Sequence, residues 1–513
     1  AGDADPKKHG AARFRDAFVF TTEPITTRGA PKPVHLFLIA ADGGHAVQLM
    51  TGSASVATGE AASTLSWSPD DASIAFVRTP NAILNDADHG LVTVVDVVTK
   101  QLRTPTGHTG YESDPRFAPD GTHLTYLHSN GDNQVNPTTA YVTTPAGDRG
   151  TALASTSDRA VQAAVWEPDS HALLLTAHDG TSIALLHAPA DGTAASRVEL
   201  NGLSITSSLD HAIAHDGTFV FVGQSTTQPA ELYVRVPGTP PVQVTDYNAT
   251  IAAHALAHAD SFDFPTSLGP HGDAVLTYPV GYDAGHRYPL LVDIHGGPTS
   301  ASVRVFDRFA QLAAARGWLV LQPNYRGSDN LGIAYQRGVL YDPEDGPGRD
   351  IMAAVNAVRS RGIVDDHRIG VFGWSYGGIM TAWMISKYHL WRAAVSGASV
   401  NDWTTDYGVA DDSDSDVALF HGSPYVAANR AEWQRASAIT YAHDVTTPVL
   451  ILSDIGDNRD PFATSSMYWR ALRDNHKDAT LVAYPVDGHF PSDPVRQADI
   501  YQRTLDFIAA HFR

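Results

Sequence analysis

The chain has 513 residues, which is enough for two or three domains with a sizeable core. Acidic residues outnumber basic ones by 56 to 35, and the net charge of −21 argues against nucleic acid or an anionic membrane as a partner, because both attract basic surfaces. The absence of cysteine excludes disulfides, thiolate metal sites and a cysteine nucleophile. No apolar run reaches the ~18 residues that a membrane-spanning helix needs, so we expect a soluble protein without a membrane span.

The sequence starts with AGDADPKKHG and not with Met. It is therefore either a processed mature form or a trimmed chain. We favour a processed, exported form, while the cytoplasm, the periplasm and secretion all stay open as locations.

The first half of the chain repeats one pattern at intervals of roughly 50 residues, a spacing typical of the blades of a β-propeller. Each unit has an aromatic or apolar residue, a turn with Asp, and an alternating strand: SWSPDDASIAFVR, RFAPDGTHLTYLH, VWEPDSHALLLTA and AIAHDGTFVFVGQ. A second hairpin-like segment follows each unit. RFRDAFVFTT and HLFLIAADGGHAVQL resemble one more unit, so we predict about five blades, and possibly more, over roughly residues 10 to 250. The turn aspartates are expected to be structural, because Asp hydrogen-bonds its own turn: Asp70, Asp120, Asp169 and Asp216.

The second half has a different pattern. From about Phe262, apolar strands such as YPLLVDIHGG and WLVLQPNYRG alternate with helical segments such as RDIMAAVNAVRSRG. Continuous apolar strands between helices indicate a mostly parallel sheet that is covered on both faces. We place the boundary between the two halves at 255/256. The N-terminal residues could also pack on the second domain.

The segment GWSYGG, Gly373 to Gly378, carries the strongest chemical signal. Gly and Ser are common in flexible loops and in phosphate-binding turns, but the flanks argue against both. RIGVFG before it has the pattern of a buried strand, and IMTAWMISKYHL after it has the pattern of a helix. A strand, a sharp turn with Ser and a helix form the nucleophile elbow of an α/β-hydrolase, which makes Ser375 the candidate nucleophile. We therefore predict a β-propeller at 1–255 and an α/β-hydrolase catalytic domain at 256–513.

In that fold the carboxylate and the histidine follow the nucleophile in the chain, in this order. TPVLILSDIGDNRDPF supplies three candidates for the carboxylate, Asp454, Asp457 and Asp460, directly after a late strand. ATLVAYPVDGHFPSDP supplies His489 after the last strand. Ser375 Oγ would attack a carbonyl carbon, His489 would accept and return the proton, and the aspartate would orient the imidazole.

The developing oxyanion needs two hydrogen-bond donors. The backbone N–H of Tyr376, the residue after the nucleophile, is expected to be one of them. The other should come from the loop after an early strand, where HGGP stands, with His295 and Gly297 as candidates. A simple turn is the alternative interpretation of HGGP.

A propeller followed by HGGP, NYRGS, GWSYGG, a late Asp and a late His resembles the prolyl oligopeptidase family of serine peptidases, and most of all its bacterial dipeptidyl-peptidase and acylaminoacyl-peptidase branch. The resemblance is weak in the propeller and strong from about residue 285. It implies that Asp457 is the triad acid, that no cofactor or metal is needed, and that the propeller limits access to short peptides.

The resemblance also implies a pocket for the side chain before the cut bond. Arg459 would bind a substrate carbonyl, or pair with Asp406 or Asp460. Trp403 could instead be a simple core residue. Asp460 replaces the usual Val of the family, which leads us to expect a preference for a basic or small residue. The expected pocket and binding residues are Tyr376, Val400, Trp403, Tyr407, Arg459 and Asp460.

The run DDSDSD, 411–416, is expected to be a solvated charged face near the domain interface. The alternative is an anchor for the free amino terminus of a substrate. The paired glutamates that dipeptidyl peptidases use for this purpose are not identified.

Three rival functions stay open at this point. An esterase or amidase of the same fold would use the same triad, on small or peptide-like natural products. A propeller binding module with an inactive hydrolase domain conflicts with the intact triad candidates. A metal enzyme is suggested only by the 24 histidines, and no H-E-x-x-H spacing occurs. Endopeptidase or exopeptidase action, the residue preference and a homo-oligomeric state are not determined by the sequence.

Overall fold

A computed structural model describes residues 32–58, 63–83, 88–131, 133–153, 158–206, 213–269 and 271–513 of the chain. The N-terminal half of these residues consists of short antiparallel strands. They are β1 Phe37–Leu38, β2 Val47–Gln48, β3 Ser55–Val56, β4 Ser66–Trp67, β5 Ser73–Thr79, β6 Leu91–Asp96, β7 Leu102–Arg103, β8 Glu112–Phe117, β9 Leu124–Ser129, β10 Thr138–Thr143, β11 Thr151–Ala152, β12 Val161–Trp166, β13 Ala172–Asp179, β14 Ser182–Pro189, β15 Ser196–Arg197, β16 Ser204–Ile205, β17 Phe219–Ser225, β18 Gln228–Arg235 and β19 Val242–Gln243.

These strands form the successive antiparallel sheets of a β-propeller. Within the described ranges the four larger sheets contain β3 to β7, β8 to β11, β12 to β15 and β16 to β19, and β1 pairs with β2 in a separate hairpin. The hairpin comes from HLFLIAADGGHAVQL, one of the two segments assigned to an additional blade. The other segment, RFRDAFVFTT, lies outside the described residues, so the structure leaves the predicted total of about five blades untested.

The repeated aspartates hold the turns that connect strands within each sheet. Each one accepts a hydrogen bond from the backbone N–H two residues further on, at 2.9 to 3.1 Å. This is the geometry of an Asx turn, in which the side chain replaces a backbone acceptor. The prediction of a structural role is therefore confirmed for Asp70, Asp120, Asp169 and Asp216.

The C-terminal half contains a large mixed sheet and the helices around it. The strands are β20 Ala259–Phe264, β21 Gly272–Thr277, β22 Tyr288–Ile294, β23 Leu319–Asn324, β24 Val364–Trp374, β25 Ala393–Gly397, β26 Val449–Gly456 and β27 Ala479–Asp487. The helices are α1 Ala249–Ala252, α2 Arg308–Ala314, α3 Ile333–Gln336, α4 Asp345–Arg359, α5 Tyr376–Lys387, α6 Trp403–Val409, α7 Ser413–Leu419, α8 Arg430–Ala436, α9 Phe462–Asp474 and α10 Pro494–His511, with 3₁₀ turns at Arg337–Val339 and Ala438–Tyr441.

The order of strands in this sheet is β20-β21-β23-β22-β24-β25-β26-β27. The first two strands pair antiparallel, β21 pairs antiparallel with β23, and all later neighbours are parallel. Parallel strands need crossover connections, and the helices of these crossovers bury both faces of the sheet. The mostly parallel sheet predicted from the apolar strands is confirmed.

The two faces of the sheet carry separate apolar cores. The larger core joins the inner sides of α4 and α5 to one face, with Ile351, Val355 and Met380 fully buried. The smaller core joins α2 and α10 to the other face, with Phe309 and Ile508 at its centre. Local signals start these helices: Asp493 caps α10 by accepting from the N–H of Arg496 at 2.7 Å, with Pro in the first turn.

The sheet places the three triad candidates at the carboxyl ends of its parallel strands. Ser375 stands between β24 and α5, Asp457 directly follows β26, and His489 comes two residues after β27. Ligands of open α/β sheets bind at this edge, where the loops converge. Separately, the described helices include none that combines the length and the apolar character needed to cross a membrane.

Candidate active site

The turn at Ser375 has the strained backbone of a nucleophile elbow. Ser375 adopts φ 58° and ψ −128°, an unusual conformation for a residue other than glycine. A Cβ on Gly373 would collide with the backbone of Gly377, and a Cβ on Gly377 would collide with the carbonyl of Ile294. Strand, turn and helix can approach this closely only because both positions are glycine.

Ser375, His489 and Asp457 form a continuous chain of hydrogen bonds. The distance from Ser375 Oγ to His489 Nε2 is 2.8 Å, and that from His489 Nδ1 to Asp457 Oδ2 is also 2.8 Å. A carboxylate only accepts hydrogen bonds, so Nδ1 carries the proton and Nε2 of the neutral ring can accept the Ser375 hydroxyl. Asp457 and His489 are both buried.

The surrounding backbone holds the acid and the histidine in place. Asp457 Oδ1 accepts from the N–H groups of Arg459 at 2.9 Å and Asp460 at 3.1 Å. Trp374, next to the nucleophile, donates from Nε1 to the carbonyl of His489 at 3.0 Å. The loop with the histidine is therefore tied directly to the elbow.

The electrostatic environment strongly favours the protonated form of His489. Burial acts to lower its pKa, but the nearby carboxylates of Asp460 and Asp457 outweigh burial and raise the pKa to about 9. Burial in turn raises the pKa of Asp460 to about 7, against the opposing effect of His489. The charges of Asp460 and His489 thus affect each other's pKa.

The structure separates the residues that were expected to form the oxyanion hole. Tyr376 begins α5, so its N–H lies in the first turn, where helical N–H groups have no partner within the helix. Gly297 lines the cavity beside Ser375. The ring of His295 stacks on Tyr325 instead, with centroids 4.4 Å apart, and its Nε2 lies 2.9 Å from Ser328 Oγ.

A cavity of about 320 Å³ opens at the nucleophile. Residues from both halves of the chain contribute to it, because Gln134 and Val135 of the propeller face the hydrolase sheet here. Its lining consists of Gln134, Val135, Gly297, Pro298, Thr299, Ser375, Tyr376, Ile379, Val400, Trp403, Asp406, Asp412, Ser415, Asp416, Leu419, Arg459, Asp460, His489 and Phe490.

Four of the expected pocket residues line this cavity in addition to Tyr376: Val400, Trp403, Arg459 and Asp460. Trp403 combines both predicted roles, since it lines the cavity, belongs to the larger core and donates from Nε1 to the buried Glu344. Arg459 Nε contacts Asp411 at 3.1 Å and Asp412 at 3.0 Å, and not Asp406 or Asp460 as considered from the sequence.

The structure places Tyr407 outside the cavity lining. Its ring packs against Tyr425 and Trp433, with centroid distances of 5.7 and 5.5 Å. The preceding residue, Asp406, lines the cavity instead. Consecutive residues of a helix point about 100° apart, so a shift of one position moves a side chain from the cavity to the core.

The sequence analysis did not predict that three further aspartates line the same cavity: Asp406, Asp412 and Asp416. The run DDSDSD was expected to be solvated, but Asp416 within it is buried. The available signal was helical spacing. Asp412 and Asp416 are four residues apart and therefore lie on one side of α7, next to the loop that carries Asp460.

Comparison with known proteins identifies the C-terminal part of the chain. Residues 304–513 match the sequence profile described as the prolyl oligopeptidase family. A Bacillus subtilis (strain 168) protein described as uncharacterized peptidase YuxL is 28% identical over 341 residues, which are 64% of this chain and 50% of that protein. Dipeptidyl-peptidase 5 of Porphyromonas gingivalis is 24% identical over 459 residues, 86% of this chain and 65% of that enzyme.

The chain thus spans about half the length of the first of these curated relatives and just under two thirds of the second. Among solved structures, an acylaminoacyl peptidase of Pyrococcus horikoshii superposes with a TM-score of 0.78 at 19% identity, over 95% of this chain and 78% of that one. This likeness establishes the shared architecture of a β-propeller and an α/β-hydrolase domain. The profile match identifies residues 304–513 as a domain of the prolyl oligopeptidase family.

Proposed function

We propose that this protein is a serine peptidase that hydrolyses short or N-blocked peptides through an acyl-enzyme formed on Ser375. The observation that carries the proposal is the pair of 2.8 Å hydrogen bonds that joins Ser375, His489 and Asp457 at the mouth of the cavity. Nucleophile, base and orienting acid in hydrogen-bond contact are the signature of nucleophilic acyl transfer.

Each step of the proposed reaction uses a named atom. Ser375 Oγ attacks the carbonyl carbon of the substrate while its proton moves to His489 Nε2. The tetrahedral oxyanion accepts hydrogen bonds from the N–H groups of Tyr376 and Gly297. His489 then protonates the leaving amine, which departs, and the acyl group stays on Ser375. Water attacks this ester in the second half, again with His489 as base, and releases the acid.

Asp457 acts through His489. Its Oδ2 accepts the Nδ1 proton and thereby keeps Nε2 free to receive the proton of the serine. The two backbone N–H groups on Oδ1 hold the carboxylate in the plane that the imidazole needs. Asp457 stabilises the imidazolium and does not itself take up a proton.

A division of labour between the two halves is part of the proposal. Residues 1–255 would form the propeller that limits access, and residues 256–513 the catalytic domain. In support, Gln134 and Val135 of the propeller face the catalytic cavity, and Ser415 Oγ donates to Gln134 Oε1 at 3.1 Å across the interface. A cavity closed in this way favours short peptides over folded proteins.

The test is a digest of a short-peptide library, with free and acetylated amino termini, read by mass spectrometry. We expect cuts with the intact chain and none with Ser375→Ala, because losing the nucleophile removes about 10⁶-fold in rate. The position of the cuts separates dipeptide release, removal of a blocked residue and internal cleavage. If a fluorophosphonate labels Ser375 but no peptide is cut, the peptidase proposal fails and an esterase or amidase takes its place.

A further inference from the structure

The cavity at Ser375 carries four carboxyl groups besides the triad acid. Asp406 comes from α6, Asp412 and Asp416 from the start and the body of α7, and Asp460 from the loop between β26 and α9. Three of them are more than nine-tenths buried, with exposed fractions of 2% for Asp406 and 5% each for Asp416 and Asp460. Buried carboxyls in this number require cations or hydrogen bonds in compensation.

The compensation is incomplete among the described residues. Asp406 Oδ1, Asp416 Oδ2 and Asp460 Oδ2 are buried and have no hydrogen-bond partner there. The carboxyl groups of Asp406 and Asp416 hydrogen-bond to each other, and this requires one of them to carry a proton, because an ionised carboxylate only accepts. Arg459 also lines the cavity, but its Nε is engaged by Asp411 and Asp412. Asp406, Asp416 and Asp460 therefore line the cavity, and each keeps one buried carboxyl oxygen without a hydrogen-bond partner among the described residues.

Part of the cavity wall is apolar. Ile379, Val400, Trp403 and Leu419 are all buried, and all of them line the cavity. Apolar and acidic side chains thus line the same cavity as Ser375.

We propose that this cavity binds the side chain on the acyl side of the cut bond, and that it selects a protonated lysine or arginine. The inference rests on the proposed peptidase function and names its substrate class. An aliphatic stem with a cationic head matches a cavity that combines apolar side chains with carboxyl groups. The ammonium or guanidinium would donate to the carboxyl groups of Asp406, Asp416 and Asp460.

Two other cations fit these walls less well. A free α-amino group has no apolar stem, so it would leave Ile379, Val400 and Leu419 without a partner. For a metal ion, no group of three or more His, Asp or Glu side chains in the described part of the chain has a suitable arrangement. The combination of apolar walls and separate carboxylates favours a long basic side chain.

The raised pKa values agree with this assignment. Burial raises the pKa of Asp412 to about 6 and that of Asp460 to about 7, and it raises the pKa of Asp406 and Asp416 well above the usual range. Burial thus favours the protonated forms of these acids. A bound cation favours their ionised forms, so binding is expected to release protons.

The test compares matched peptides of the form acetyl-Ala-Ala-X-aminomethylcoumarin. Norleucine replaces lysine without the charge, and citrulline replaces arginine with nearly the same shape. We expect kcat/KM for Lys over norleucine, and for Arg over citrulline, to be at least about 30-fold, the lower end of what loss of one partner of a buried charge pair costs. A ratio of one or less for both pairs would overturn the inference.

Variants then assign the effect to the acids. Asp460→Asn and the double variant Asp406→Asn/Asp416→Asn are expected to reduce the Lys-to-norleucine ratio by tenfold or more, a loss of about 1.4 kcal/mol in discrimination. Asp506→Asn is the matched control, because it removes one exposed charge of the same domain on α10. Titration with a fluorophosphonate counts the folded active sites. An unchanged ratio in both cavity variants would contradict the assignment.

Two further measurements cover the remaining outcomes. If the variants do not fold, the inhibition of the intact chain by n-butylamine is compared with its inhibition by 1-butanol. Competitive inhibition by the amine alone would support the inference. Equal inhibition by both compounds would contradict it. Faster cleavage of peptides with a free amino terminus, irrespective of X, would assign the acids to that terminus and overturn the proposal. Cleavage only after uncharged X would refute this inference while leaving the peptidase function intact.

Discussion

Asp460 and His489 both line the cavity at Ser375, and the Asp460 carboxylate raises the pKa of the His489 imidazole, as does the carboxylate of Asp457. Asp460 thus links His489, the proposed general base, to the acidic residues of the cavity. A change in the cavity should therefore alter the pH dependence of catalysis as well as the selectivity.

The first prediction concerns the pH profile. His489 must be neutral to act as a base, and its pKa is raised to about 9, so kcat/KM should fall as the pH drops through this value. Asp460→Asn removes one of the two carboxylates that raise the pKa of His489, and the acid limb should move to lower pH. The measurement is kcat/KM against pH with one uncharged acetyl-peptide substrate. An acid limb at the same pH in both proteins would contradict the electrostatic coupling.

The second prediction concerns the triad acid. Asp457→Asn keeps the shape of the side chain but disturbs the tautomer of His489, and kcat should fall by about 10⁴-fold. The exchange leaves one oxygen for the N–H groups of Arg459 and Asp460, so we expect the thermal unfolding midpoint to change little. Steady-state kinetics and a melting curve measure the two effects. Activity within tenfold of the intact chain would remove Asp457 from the triad.

The third prediction concerns the domain interface. Asp329, in the loop after β23, accepts from His178 Nδ1 of the propeller at 2.7 Å and from Gln162 Nε2 at 3.3 Å. Asp329→Ala removes both contacts and should widen access to the cavity. We expect the cleavage of a peptide of about 30 residues, relative to a tripeptide amide, to increase several-fold.

The exposed pair of His286 and Asp283 supplies the control for this experiment. Asp283→Ala removes an ion pair of the same residue types in a turn away from the interface. In this variant, the rate of cleavage of the 30-residue peptide relative to the tripeptide amide should equal that of the intact chain. Equal ratios for both variants would mean that this interface does not limit access.

The fourth prediction concerns stability. Arg326 and Asp350 form a buried pair with two side-chain hydrogen bonds of 2.8 Å, and the exposed fractions of their side chains are 4% and 2%. Asp350→Ala leaves the guanidinium buried and uncompensated, which should lower the free energy of unfolding by about 3–5 kcal/mol. Urea unfolding followed by tryptophan fluorescence measures the change.

A neighbouring exposed pair provides the comparison. The side chain of Arg349 is 46% exposed and contacts Asp342 at 3.1 Å on the surface. Arg349→Ala should cost less than about 1 kcal/mol, because water already screens the pair. A similar loss of stability in both variants would show that burial of Arg326 is not the cause.

Local patterns in the sequence were sufficient for much of the fold and for the order of the triad. The elbow at Ser375 could be predicted because strand, glycine turn and helix are adjacent in the chain. The Asx turns at Asp70 and its equivalents involve residues only two positions apart. His489 and Asp457 could be predicted as candidates because the acid and the histidine of an α/β-hydrolase come after the nucleophile, each behind a late strand. In all these cases the prediction depends on contacts between residues that are close in the chain, or on a motif of consecutive residues.

The acidic cavity could not be predicted in the same way. Whether Asp406 and Asp416 are solvated or buried depends on how α6 and α7 pack against the propeller and the loop of Asp460. Ser415 and Gln134, which meet across the cavity mouth, are 281 residues apart. Whether Tyr407 points to the cavity or to the core depends on the rotation of the short helix α6. A shift of one residue along this helix moves a side chain from one side to the other.

The sequence by itself determined the prediction of a propeller followed by an α/β-hydrolase fold, and of Ser375 as the candidate nucleophile, because periodic apolar patterns and short turn motifs encode them locally. Only the tertiary structure decided which carboxyls are buried beside the nucleophile, which partners Arg459 takes and where His295 points. Burial and charge compensation depend on all neighbours in space. Those neighbours come together only when distant segments of the chain have packed.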